Sequence, residues 1–315
     1  MSVITNPVWF ESKRPMSLGL MLPIGEKSHF GATPRFTDMV EMAQAARESG
    51  FEAIWFADHF LFEDADDGSI RGVWEVFSLM GAVAAAVPDV QIGSLVACTG
   101  FRNPALIAKT AETIDEISGG RFILGLGAGW HKPEYDAFGY PWDHRVSRFE
   151  EAIQIMQQML RDGSATLEGE FFQARNAVNQ PRGPRKGGAP ILVGSSGDRM
   201  LGIIARHADA WNTVWHGDTS RIPELMAKVD AACEEAGRDP KTLIRTAGGN
   251  ISMGKNLGSR PNAFDGTVEE KAQHLHAFRE AGLSHFVCGL DACTPDTITA
   301  FGEVIQQFDE LATQE

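Results

Sequence analysis

Strand-like and helix-like segments alternate eight times along this 315-residue chain, and that alternation limits the fold more than any single motif does. Short apolar runs at 17–22, 53–57, 90–97, 122–127, 191–194, 208–213, 242–252 and 285–288 read as strands. Segments with 3.6-type spacing come after them, at 35–49, 73–86, 105–118, 145–160, 199–207, 223–235, 267–281 and 295–311. Gly50, Gly237 and Gly282 stand just past helical runs, where a helix stop is expected. Eight β-then-α units predict an α/β protein, a single (β/α)8 TIM barrel spanning 1–315.

The spacing is uneven. The stretch between the fourth and fifth strands is far longer than one helix needs, and its excess, 162–189, is read as an insertion. It holds an expected hairpin (165–168 with 171–174) and the basic segment PRGPRKGG. Long insertions in compact domains usually act as lids or loops, so 162–189 is expected over the barrel mouth. A second irregular segment, 254–266, comes after the seventh strand, and residues 1–15 read as an arm before the first. Neither an internal repeat nor a domain linker is visible.

Composition narrows the function classes. Hydrophobic residues make up 43%, enough for a large core, and the formal charge is −14 with no Lys/Arg run longer than two. That balance argues against nucleic acid or an anionic membrane as main partner. No stretch approaches the ~20 apolar residues of a membrane span, and the first fifteen lack an apolar signal core. Four cysteines without metal spacing (Cys98, Cys233, Cys288, Cys293) are expected as free thiols in a reducing cytoplasm.

In such a barrel chemistry sits at the C-terminal ends of the strands. The fourth strand runs into GLGAGWHKPEYDAFG, residues 125–139. Alternate glycines Gly125, Gly127 and Gly129 strip one face of side chains, so a flat ligand could approach the backbone; tight packing inside a barrel is the plainer reading. Trp130, His131, Glu134 and Tyr135 come directly after, and Trp130, His131 and Trp215 are expected to wall a substrate pocket. The second strand ends in Asp58-His59. A histidine titrates near neutrality and an adjoining carboxylate can orient it, so His59 with Asp58 is the catalytic expectation, against a surface pair with an N-cap. Gly194-Ser195-Ser196-Gly197 precedes a helix and suits a phosphate, or simply caps the helix. Glu134 and Arg148 suggest a buried ion pair, with Arg145 as another candidate. The run G-x-G-x-G-W lacks the third glycine's spacing and the helix of a dinucleotide fingerprint, which argues against a nicotinamide Rossmann domain.

Taken together and in order, WFADHF (55–60), FRNPALIAKTAETIDEISGGRFILGLGAGWHKPEYDAFG (101–139), RVSRFEEA (145–152) and ILVGSSG (191–197) resemble the bacterial-luciferase-like flavin and deazaflavin oxidoreductases. The likeness runs from Leu18 to about Leu311. It implies a barrel with the cofactor ring across the strand ends, Asp58 and His59 beside it, and Gly125 and Gly127 giving it room. It also implies contacts from Glu134, Arg148 and Phe149, and a phosphate held by Ser195, Ser196 and Gly197. The family often kinks strand three with a non-proline cis peptide, here expected near 95–97, setting Leu95 and Val96 against the cofactor.

The resemblance is nearest the branch that uses the deazaflavin coenzyme F420, which moves only hydride. FMN shares most of these contacts, and would imply an O2-using monooxygenase supplied by a separate flavin reductase. Either way the partner is a small organic molecule, and the protein is expected to be a homodimer because the 73–86 segment, with Trp74, Phe77, Leu79 and Met80, is more apolar than one barrel-facing stripe needs. Two other classes compete. A metal-dependent barrel hydrolase would use Asp58, His59, His131 and His216, but the first strand, SLGLML, offers no ligand, and no metal is expected. A non-catalytic flavin-binding protein is the other.

Overall fold

The computed structural model describes residues 9–29, 31–63, 68–254, 260 and 262–313. The eight strands run parallel and are almost wholly buried, so each needs cover from both inside and outside the sheet. They are β1 (Ser17–Met21), β2 (Ala53–Phe56), β3 (Gln91–Ser94, continued by Ala97–Cys98), β4 (Phe122–Gly127), β5 (Ile191–Gly194), β6 (Ala210–Thr213), β7 (Ile244–Ser252) and β8 (His285–Asp291). Leu124 on β4 pairs with Ile191 on β5, and Ser17 on β1 pairs with His285 on β8, which closes the sheet into a (β/α)8 barrel. The outer ring is α1 (Phe36–Ser49), α2 (Val76–Ala86), α3 (Pro104–Ser118), α4 (Arg145–Asp162), α5 (Asp198–His207), α6 (Ile222–Glu235), α7 (Val268–Glu280) and α8 (Pro295–Thr313). The helix boundaries reflect local chemistry. Asn103 accepts from the amides of Ala105 and Leu106 ahead of Pro104, while Thr267 and Glu270 close a capping box on α7.

The barrel interior is filled from β2. A Cβ at Gly19 on β1 or at Gly93 on β3 would lie 2.4 Å from the Trp55 indole, so both neighbours are glycines because one side chain covers them. The Trp55 indole donates to His285 Nε2 at 2.9 Å. His285 Nδ1 therefore carries the proton, donating at 2.7 Å to Ser17 Oγ, which in turn donates to the Ser284 carbonyl. This imidazole is fully buried and satisfied as the neutral tautomer, and burial pushes its pKa down to about 3. Trp9 and Phe10 of the arm meet the His285 ring edge-on, closing the N-terminal end of the barrel.

Several expectations change. The insertion does not cover the mouth. Its hairpin, Ser164–Glu168 with Gln173–Val178, lies back along α4, with the amides of Glu170, Phe171 and Phe172 on the Glu151 carboxylate. Its basic segment grips the end of α3, where Arg182 and Arg185 pair with the buried Glu112 and Asp115. The physical reason is direction: α4 leads away from the strand ends, so the chain leaving α4 emerges at the opposite side. Helix α2 starts at Val76 because Glu75 caps it, and Phe77 and Met80 are buried, so the core absorbs much of the apolar excess attributed to an interface. Of the irregular segment 254–266, residues 255–259 and 261 lie outside the described residues, as do residues 1–8 of the arm, and Phe264 bridges to Ile251 at the end of β7. Two elements are unexpected: a hairpin of Leu61–Glu63 with Ile70–Gly72, and a two-turn helix, Lys132–Phe138, in the loop after β4. No described helix is long and apolar enough to cross a membrane.

Candidate active site

A cavity of about 1270 Å³ opens at the C-terminal ends of the strands. Its wall includes Asp58, His59, Leu95, Val96, Gly127, Trp130, Glu134, Ser195, Ser196, Gly197 and Trp215, so most of the expected residues converge there. The peptide between Leu95 and Val96 is cis, as the resemblance implied. Val214–Trp215 and Asp291–Ala292, also in the wall, are cis as well.

His59 and Glu134 form the centre of the site. Glu134 stands in the first turn of the Lys132–Phe138 helix and is 1% exposed. Its carboxylate accepts from the Phe60 amide at 2.5 Å, the Leu61 amide at 3.2 Å and His59 Nδ1 at 3.0 Å. Burial opposes the charge, but His59 and the two amides outweigh it and hold Glu134 below the ordinary carboxylate range. An ionised carboxylate only accepts, so His59 Nδ1 bears the proton and Nε2 is the nitrogen left for the cavity. Phe62 lies against the imidazole with ring centres 4.4 Å apart; Trp130 and His131 meet it edge-on at 5.7 and 6.2 Å.

Asp58 has another role. It accepts from the Cys98 amide at 2.9 Å and from both terminal nitrogens of Arg102, at 2.6 and 3.0 Å. Arg102 continues to Glu75, the α2 cap, at 2.8 Å. Burial raises the Asp58 pKa against the pull of Arg102, and the fork satisfies both carboxylate oxygens. The expectation that Asp58 orients His59 is therefore corrected: successive residues leaving β2 point apart, and the carboxylate that reaches the ring is 75 positions away. Asp58 instead ties the β2 end to β3 and α2.

The expected Glu134–Arg148 pair is not made either. Arg148 donates to the Asp143 carbonyl and carboxylate and lies over the Phe171 ring, outside the cavity wall. Phe149 is fully buried in the core. One helical turn earlier, Arg145 lines the cavity, donating to the Gly129 carbonyl at 2.6 Å with its guanidinium 3.6 Å from the Trp142 ring centre. Gly125 also changes meaning. A Cβ there would come within 1.8 Å of the Ser94 carbonyl oxygen, so the space is taken by β3 and not by a ligand. Gly129, at φ +79, leaves room for the Tyr135 hydroxyl and Cys98 Sγ. That hydroxyl donates to the Ala128 carbonyl and accepts from the Cys98 thiol at 3.0 Å, and burial pushes the thiol up to about 11.

At the far side of the cavity Ser195, Ser196 and Gly197 lead into α5, whose N-terminus has no side-chain cap; a Cβ at Gly197 would meet nothing within 4 Å. The Gly197 amide reaches only Ser195 Oγ, at 3.5 Å, and this uncapped positive end of a helix dipole suits a phosphate. Among the described residues no cluster of three His, Cys, Asp or Glu side chains could hold a metal ion. Two residues a barrel hydrolase would need are engaged elsewhere: Asp58 with Arg102 at 2.6 Å, and His216 with Thr213 at 3.0 Å.

Residues 16–257 match the luciferase-like monooxygenase family. The chain belongs to that family. Among its relatives is a 5,10-methylenetetrahydromethanopterin reductase of Archaeoglobus fulgidus, 26% identical over 86% of this chain and 74% of that protein. A phthiodiolone/phenolphthiodiolone dimycocerosates ketoreductase of Mycobacterium bovis is 31% identical, but over 62% of this chain and only 52% of its own length. An F420-dependent secondary alcohol dehydrogenase, solved with an F420-acetone adduct, superposes with a TM-score of 0.79 at 21% identity, covering 93% of this chain and 99% of the other. An EDTA monooxygenase from a Chelativorans species superposes at 0.78 with 14% identity, over 96% and 94%. These two likenesses establish the barrel fold. Family membership makes the chain an oxidoreductase of the flavin- or F420-dependent kind.

Proposed function

We propose that this enzyme transfers hydride between a deazaflavin, coenzyme F420, and a small organic substrate. The observation that carries the reading is the His59–Glu134 pair at the cavity wall, which fixes one imidazole nitrogen as a proton carrier. Relatives named as a reductase and a ketoreductase support the same chemistry. The residues fit such a cofactor: Ser195, Ser196 and Gly197 would hold its phosphate, with Arg145 on the same wall, and Leu95, Val96 and Gly127 would line its ring. When bound, the deazaflavin supplies a carbon that gives or accepts hydride, and no oxygen chemistry.

The chain's own part is to position a proton carrier. Glu134 holds His59 Nδ1–H, so His59 Nε2 can take the proton from a substrate hydroxyl or, charged, return one to a carbonyl oxygen. Two amides on the other carboxylate oxygen stop Glu134 from swinging away. Phe62 lies against the imidazole and Trp130 meets its edge, which fixes the ring's position at the cavity wall. FMN would occupy the same cradle and make the protein a monooxygenase fed by a separate reductase.

Anaerobic mixing with reduced deazaflavin and a panel of small ketones and aldehydes tests the reaction. Oxidation of the deazaflavin with stoichiometric alcohol is expected; binding without oxidation of any substrate would indicate a carrier. A homodimer remains part of the reading, now resting on the exposed Trp74 (43%) and Phe36 (44%), joined through the Trp74 indole's bond to the Pro34 carbonyl. Four buried free thiols agree with a cytoplasmic setting.

A further inference from the structure

The hairpin after β2 brings a cation to the site that no expectation included. Arg71 stands directly opposite Phe62 in the antiparallel register, and residues so paired share a face, with Cβ atoms ~5 Å apart. Phe62 lies on His59, and both Phe62 and Arg71 line the cavity. Arg71 is half-buried, and its Nε is buried with no hydrogen-bond partner. Lys27, in the loop after β1, lines the same edge with its backbone in the left-handed region, at φ +58. The two are held together by the backbone: the Glu26 amide donates to the Gly72 carbonyl at 2.8 Å, and the Gly72 amide to the Glu26 carboxylate at 2.5 Å. Glu26, an acid on the same edge, is thus spent on the hairpin. Lys27 is exposed and solvated, so the observation that calls for an acceptor is the Arg71 Nε. A buried donor without an acceptor is costly to the fold, and a ligand that accepts from it removes that cost.

We propose that Arg71, with Lys27 at the rim, binds an anionic oxygen group of the substrate, so that the enzyme acts on small organic acids whose carboxylate is separated from the reacting carbon by a flat apolar part. This rests on the hydride-transfer reading for the reaction, but not for the binding. The order of Arg71, Phe62 and His59 supports it. One end of the substrate meets the Arg71 fork, the flat part lies along Phe62, and the carbon bearing the hydroxyl or carbonyl meets His59 Nε2. A planar guanidinium matches the two oxygens of a carboxylate in one plane, which a confined edge favours over a bulkier phosphate monoester. An acid group on the cofactor could use the same fork, so the two sources must be separated.

Quenching of the tryptophan fluorescence, to which Trp130 and Trp215 contribute at the cavity wall, reports binding without turnover. Benzoate, benzamide and phenyl phosphate serve as probes, and the deazaflavin is titrated in parallel on wild type, Arg71→Gln, Arg71→Lys and Lys27→Met. The expected result is benzoate binding at least about tenfold tighter than benzamide, a loss of about tenfold in Arg71→Gln for benzoate alone, and partial retention in Arg71→Lys. Deazaflavin affinity should stay within about twofold throughout. Equal affinity for benzoate and benzamide, or an Arg71→Gln that leaves benzoate unaffected, overturns the proposal. So does a large fall in deazaflavin affinity with benzoate unchanged, which gives the fork to the cofactor. Preference for phenyl phosphate over benzoate overturns the carboxylate assignment. If the anion preference holds but no deazaflavin binds, the cofactor reading fails and the subsite stands.

Discussion

Two carboxylates near His59 divide the work between positioning and support, and substitution separates them. Glu134→Gln keeps one acceptor for the Phe60 and Leu61 amides but removes the charge that steadies His59, so kcat should fall about 100-fold with the fold intact. Asp58→Asn leaves the imidazole's partner in place and strips a charge from the Arg102 pair, costing about 3–5 kcal/mol of stability with a smaller effect on kcat per folded molecule. Denaturant unfolding beside steady-state kinetics on both variants checks the pair of outcomes; a reversed pattern would return the orienting role to Asp58. Adjacency in sequence suggested Asp58-His59 as a unit. The true partner was legible as a residue type in the segment 125–139, but not as a contact, because the pairing depends on how the loop helix docks. Arg102, just ahead of the Asn103-Pro104 helix start, left a signal that could have been read: an arginine in the loop at the C-terminal end of the third strand.

At the level of elements, the glycines of β4 and α5 serve different ends. Gly125→Ala would drive a methyl into the β3 backbone, so the variant should lose at least ~3 kcal/mol or fail to accumulate as folded protein. Gly197→Ala has open space, should melt within about two degrees of wild type, and should weaken only a phosphate-bearing ligand. Thermal melts with and without cofactor distinguish the two. Strand and helix positions were readable because burial on both faces and 3.6-type spacing leave plain marks; the apolar runs at 122–127 and 191–194 match β4 and β5 end to end. The Leu61–Glu63 hairpin was not, since three-residue strands on a loop carry no period. Nor was the course of the insertion, whose Arg182 and Arg185 find buried acids on α3 through tertiary contact alone.

For the molecule as a whole, buried neutral imidazoles set the acid limb of stability. His285 and His274 are pushed down to about 3 and about 4 by burial, while an unfolded histidine titrates near ~6.5. Below that value the unfolded chain binds protons that the folded one does not, so stability falls as pH drops from ~6.5 towards ~4. The depressed Glu134 adds loss of the same sign lower still. Unfolding free energies from urea titrations across that window should slope by about 2 kcal/mol per pH unit, and a flat profile would contradict the role of the buried imidazoles. The same barrel that hides His285 at one end opens the cavity at the other, and what that cavity holds decides the reaction. Side-by-side titration of the apoprotein with deazaflavin and FMN tests it most directly. Saturable deazaflavin binding at least about tenfold tighter than FMN is the predicted result; tight FMN binding with no uptake of deazaflavin would contradict it.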